Sequence, residues 1–130
     1  MDRLLRLLPV ALGGALGTML RFYLEESLGT NLKFPIGILV ANLAGCLLIG
    51  AINALLPRAN LRSGALLRLL LATGFCGGLT TLSTLAVSLA EQLIAFNPLQ
   101  ALLYGSATIV AGVLAAYLGR TLVLVRFERT

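Results

Sequence analysis

Four hydroxyl groups crowd into five residues at Thr80, Thr81, Ser83 and Thr84, and three glycines, Gly74, Gly77 and Gly78, stand just ahead of them. Both sets lie in an apolar run that is otherwise long enough to cross a bilayer. Each glycine weakens a helix by about 1 kcal/mol relative to alanine. A loosened backbone is tolerated at membrane depth only against protein or a watery cavity. The pattern predicts a membrane helix broken in mid-span, with backbone and hydroxyl groups turned toward something polar. The plainer alternative is close helix packing at small residues, with hydroxyls bonded back to their own helix. That alternative suffices for one glycine or one threonine. The whole cluster favours a path for an ion or substrate.

Three other polar positions stand out against the same apolar background. Asn42 lies one third of the way into a run without charge, where an unbonded amide would cost several kcal/mol, so it must find a partner. An interhelical hydrogen bond is the simplest one. Tyr104 and Thr108 are four residues apart and share a helix face, which Gly112 continues, making a polar track, a packing seam or both. Arg21 stands near the far end of the first apolar segment, where it either snorkels to the interface or raises the anion concentration at a pore mouth. Cys46 and Cys76 lie in apolar runs and read as small packing residues. The chain has no histidine, and so lacks the commonest general base and transition-metal ligand. No metal-ligand spacing occurs, and an intramembrane enzyme is disfavoured.

The elements that must position these residues follow from hydropathy. The chain has 130 residues, 58% of them hydrophobic, with a mean hydropathy of +0.97. This exceeds the apolar share of about half that is usual for soluble domains, and it points to a membrane protein. Without a small-residue cleavage site the first apolar segment is expected to remain in the protein. That segment runs from about Leu4 to Leu28, with Pro9 near its first turns and a GxxxG spacing from Gly13 to Gly17 that permits close backbone contact. The second runs from Pro35 to Leu56. The third extends from near Ala65 to Phe96 and overshoots a bilayer of about 30 Å unless a break near residues 77–84 absorbs the excess. The fourth runs from Pro98 to about Val125. The expected fold is an all-α membrane protein, one domain over residues 1–130 with four transmembrane helices. Four spans put both termini on one side with Arg3, Arg6, Arg58, Arg62, Arg68, Arg120, Arg126 and Arg129. Only Arg21 and Lys33 fall on the other. The positive-inside rule then places both termini in the cytoplasm. The net charge of +5 thus reads as helix anchoring and topology, and not as a nucleic-acid patch.

The residues also carry a family pattern. The stretch Gly13-Gly14-Ala15-Leu16-Gly17-Thr18-Met19-Leu20-Arg21-Phe22 resembles the GGxxGxxxR(Y/F) signature of the bacterial fluoride channels, the fluoride-export family. Pro35 to Gly45 resembles its second motif and Gly74 to Leu85 its third, so the likeness spans nearly the whole chain. The resemblance implies a bacterial inner-membrane protein that lets fluoride leave passively, built as an antiparallel dimer with two narrow pores. It implies a sodium ion at the dimer centre, held by the backbone carbonyls of Gly77 and Thr80. It also implies a fluoride path along Asn42, Ser83, Thr84, Tyr104 and Thr108, with Arg21 in an aqueous vestibule. The chemistry agrees in kind. Neutral donors can replace the water around fluoride, whereas a full positive charge inside the pore would bind too tightly for release. Carbonyls at a broken helix suit a hard cation.

Two features depart from the family pattern. Leu82 and Leu85 stand where the family has phenylalanines, whose electropositive ring edges can face an anion, and Ile38 replaces a frequent threonine. The arginine split is also stronger than both orientations of one sequence would require. Two readings remain open here: a homodimer that tolerates leucine, and a poorly conducting subunit of a heterodimeric channel whose oppositely oriented partner supplies the rings. A small antiparallel multidrug–proton exchanger is the other alternative. It needs a membrane-buried carboxylate, and Asp2, Glu25, Glu26, Glu91 and Glu128 all fall at or near segment ends.

Overall fold

The computed structural model of the chain describes residues 3–29, 34–56, 61–95 and 97–128. Lys33, Arg58, Phe96 and Arg129 lie outside the described residues, as do the side chains of Arg3 and Arg62. Helix α1 covers Arg3–Leu28, α2 covers Ile36–Leu55, and α5 covers Pro98–Glu128. The third span is built from two pieces. The first, α3, is α-helical over Leu61–Arg68, widens to a π-helix over Leu69–Cys76, and returns to α-helix over Gly77–Leu79. The second, α4, covers Leu82–Ile94. Among the described residues, four stretches are long and apolar enough to cross a membrane: Arg6–Leu28, Ile36–Leu55, Gly64–Ile94 and Pro98–Phe127. The expected four spans are present, and the third is broken.

Pro9 lies farther into α1 than its first turn, so its missing N–H costs the helix one internal bond. The helix ends at Gly29, whose φ of +80° is the left-handed cap that glycine adopts without a Cβ penalty. The widened stretch in the third span was not legible in its leucine-rich sequence.

Helices in lipid gain no hydrophobic drive toward each other, so they associate through close packing and hydrogen bonds. Two seams do this here. Along α1 and α3 the backbones touch: a Cβ added at Gly13 would strike the Leu70 carbonyl, and one at Gly17 would strike that of Phe75. Along α2 and α5, a Cβ on Gly50 would meet the Ala116 carbonyl, and one on Gly119 that of Leu47. Small buried clusters fill what remains. Ile52, Ala72 and Cys76 form one, and Ile38, Leu85 and Tyr104 form the other, with Leu39 and Leu89 packed against it. The long apolar side chains on the outer faces of α1 and α5 are exposed, as a lipid-facing surface requires.

Candidate functional site at the break in the third span

At Thr80 and Thr81 the backbone leaves the helix. Their φ/ψ values are −82°/147° and −144°/119°, both extended. Such a segment needs partners for its peptide groups. Thr80 turns inward, and its N–H and Oγ1 both donate to the Cys76 carbonyl, each at 2.9 Å. Thr81 is held by Asn42 in a two-point clamp. The Thr81 N–H donates to Asn42 Oδ1 at 2.8 Å, and Asn42 Nδ2 donates to the Thr81 carbonyl at 3.2 Å. The carboxamide thus stands in for a neighbouring β-strand, which is how a buried asparagine in α2 finds its partner.

Thr81 also starts the next helix. Its Oγ1 accepts from the Thr84 N–H at 3.1 Å, the N-cap arrangement that satisfies an orphan donor. The same oxygen lies 2.9 Å from Thr84 Oγ1 and 3.2 Å from Ser83 Oγ. Thr84 is half-buried beside Thr81, while Ser83 is exposed. The capping role of Thr81 was missed from sequence, although a threonine three residues ahead of another polar residue at a helix start is its usual signal.

Arg21 reaches the other side of the break. Its Nε donates to the Gly78 carbonyl at 3.3 Å, a second and longer bond to that oxygen comes from Thr18 Oγ1 at 3.5 Å, and its guanidinium pairs with Glu25 at 3.2 Å. The cation therefore caps the carbonyl end of α3, where the helix dipole favours positive charge. It is not a dangling anchor, and Glu25 offsets part of its charge.

A groove of about 450 Å³ runs between α2, the break and α5, lined by Asn42, Gly77, Thr80, Leu82, Leu85 and Thr108 among others. Among the described residues, no charged side chain lines it. Residues singled out far apart in the sequence are therefore brought to one surface. Tyr104 lies beneath that surface, 3% exposed, with its hydroxyl donating to the Pro35 carbonyl at 3.0 Å and its ring edge-on to Phe34. Thr108 donates to the carbonyl of Tyr104 at 2.7 Å. Leu82 and Leu85 part company: Leu82 is 77% exposed at the groove edge, whereas Leu85 is 4% exposed in the core with Ile38 and Tyr104.

The two ends created by the break differ in sign. The last carbonyls of α3 have no helical donors ahead of them, and the first N–H groups of α4 have no helical acceptors behind them. Among the described residues, the bonds made outside the helices include none to the carbonyls of Gly77 or Thr80. A Cβ at Gly77 would meet nothing within 4 Å, so its backbone is open to the groove. No group of three or more His, Cys, Asp or Glu that could hold a metal occurs among the described residues. Backbone carbonyls are among the oxygen atoms at the groove that a hard cation could use, and the amide end of α4 with the hydroxyls beside it suits an anion.

Residues 8–120 match the family model described as CrcB-like protein, Camphor Resistance (CrcB). Similar curated proteins carry the name fluoride-specific ion channel. One from Chlorobium phaeobacteroides is 43% identical over 124 residues, covering 93% of this chain and 94% of that protein. One from Rhodococcus jostii is 42% identical over 112 residues, 86% and 93% of the respective chains. A third, from Methanopyrus kandleri, is 40% identical over 113 residues, 87% and 84% of the respective chains. With a broken third span, three motifs in order and matches of this extent, the chain belongs to the CrcB-like family.

Proposed function

We propose that the protein is a fluoride-selective channel that lets the ion leave the cell passively. The observation that carries this reading is the break at Thr80–Thr81. It gathers hydroxyls, the Asn42 amide and a helix N-terminus beside a groove without full charges. Such neutral donors can replace fluoride's water and still release the ion. The names of the relatives agree with it. A drug–proton exchanger would need a carboxylate in the groove, and none of the described residues lining it has one.

The same reading makes the groove half of a dimer interface. A second, antiparallel copy laid across it would bring two breaks together at a two-fold axis. A sodium ion there would take the carbonyls of Gly77 and Thr80 from each copy, and it would offset the negative ends of two α3 helices. Fluoride would pass by Asn42, Ser83, Thr84 and Thr108, with Tyr104 supporting the wall and Leu82 at its edge. The arginine distribution supports a multi-pass protein of the bacterial inner membrane with both termini cytoplasmic.

Purified protein in liposomes loaded with potassium fluoride tests the reading. Valinomycin should trigger fluoride efflux far above that of protein-free liposomes, and chloride-loaded liposomes should remain silent. Fluoride efflux at the protein-free rate would overturn it.

A further inference from the structure

Gln92 is 3% exposed on α4. Neither its Nε2 nor its Oε1 has a hydrogen-bond partner among the described residues. Buried polar side chains are nearly always paired, and one that is not calls for a ligand or an ordered water. The placement of Gln92 says which. Counting back by four gives Ser88 and Thr84, so the three lie along one stripe of α4. Ser88 Oγ donates to the Thr84 carbonyl at 3.0 Å, and Thr84 Oγ1 lies 2.9 Å from Thr81 Oγ1. A polar line therefore leads from the break toward the end of the third span. Counting back by seven gives Leu85, which packs against Tyr104 with Leu89, so Gln92 also continues the face that α4 turns inward.

We propose that Gln92 is a fluoride-binding residue at the distal end of this line, on the membrane face opposite the chain's termini. Its Nε2–H₂ supplies two neutral donors to the ion, and its Oε1 accepts a hydrogen bond from the water that rehydrates it. The hydroxyls of Thr84 and Ser88 must swing away from their present partners to face an anion, whereas the amide needs no such rearrangement. Its neutrality keeps binding weak enough for release. The inference rests on the reading of Thr84 as part of the fluoride path.

The test compares the unaltered protein with Gln92→Leu, Gln92→Met, Gln92→Asn and Thr84→Val in potassium fluoride-loaded liposomes, with melting temperatures taken in detergent. Replacing an unpartnered amide by apolar atoms of similar volume does not weaken a fold. Gln92→Leu and Gln92→Met should therefore melt no lower than the unaltered protein, yet pass fluoride at least tenfold more slowly. Gln92→Asn should keep part of the flux. Unchanged flux in the Leu and Met variants would overturn the proposal, as would a lowered melting temperature in both, which would make the amide a strut of the fold. If Thr84→Val slows flux while the Gln92 variants do not, the path stands without Gln92. If none of the four alters flux, the path through Thr84 falls with it.

Discussion

The two halves of the third span solve opposite problems. The first half, α3, lies against α1 with backbone touching backbone, and its glycines leave no room for a methyl group at the contact. The second half, α4, carries a hydroxyl at its start and a buried amide near its end, and presents a leucine that is mostly exposed. The anchoring seam thus belongs to the first half while both halves line the groove, and the extended pair Thr80–Thr81 is the joint between them. The joint is held from outside the span by Asn42 on one side and Arg21 on the other. A helix running straight through could not divide the work in this way, since it would satisfy all its peptide groups internally and offer none to a visitor.

If the first half is an anchor, crowding it should do the most damage. Gly17→Leu drives a side chain into the Phe75 carbonyl, and overpacking of this kind costs about 3 kcal/mol or more. We expect loss of monodisperse protein in detergent, read by size-exclusion chromatography; a normal elution profile would show that the seam can spread apart. The joint comes next. Asn42→Leu leaves the Thr81 N–H and carbonyl without their partner, a penalty of about 1–3 kcal/mol for a buried donor. The variant should fold with a reduced melting temperature and lose at least tenfold in fluoride flux. Unaltered flux would mean that the clamp is dispensable.

The lining half should respond most mildly, and unevenly. Leu82→Phe places a ring in open space at the groove, so it should leave the melting temperature within error and raise fluoride flux through the added ring edge. Leu85→Phe must expand the cluster of Ile38 and Tyr104, at a cost of about 1–3 kcal/mol. Flux and melting measured on the two single variants and the pair would separate the ring-edge effect from the packing penalty. No gain in flux from Leu82→Phe would remove the ring-edge argument.

The sequence disclosed the parts of the structure that depend on hydropathy and composition. Four spans follow from apolar runs punctuated by Gly29, Pro35 and Pro98, and the break follows from glycines and hydroxyls gathered at membrane depth. Asn42 was legible as a residue in need of a partner, though not that its partner is a peptide group of Thr81. What stayed hidden depends on rotation and reach. Leu82 and Leu85 look alike in a motif, and only the angle at which α4 leaves the joint exposes one and buries the other. Arg21 offered two readings because a long side chain can swing to the interface or inward; the Gly78 carbonyl and Glu25 are what it meets. Nothing in the identities of the neighbours of Gln92 marks it as enclosed. The π-helical widening over Leu69–Cys76 has no composition of its own.

The pairing of seams has a bearing on biogenesis. First span docks with third and second with fourth, so the tightest contacts interleave along the chain. As the ribosome delivers the spans in order, the first hairpin can bring Gly37 against the α1 backbone at Leu24 and Glu25, while the α1–α3 seam waits for the third span. The last one closes only when residues around Gly119 have entered the bilayer. A transcript cut short upstream of that point would leave α2 with an unfilled face at Leu47 and Gly50.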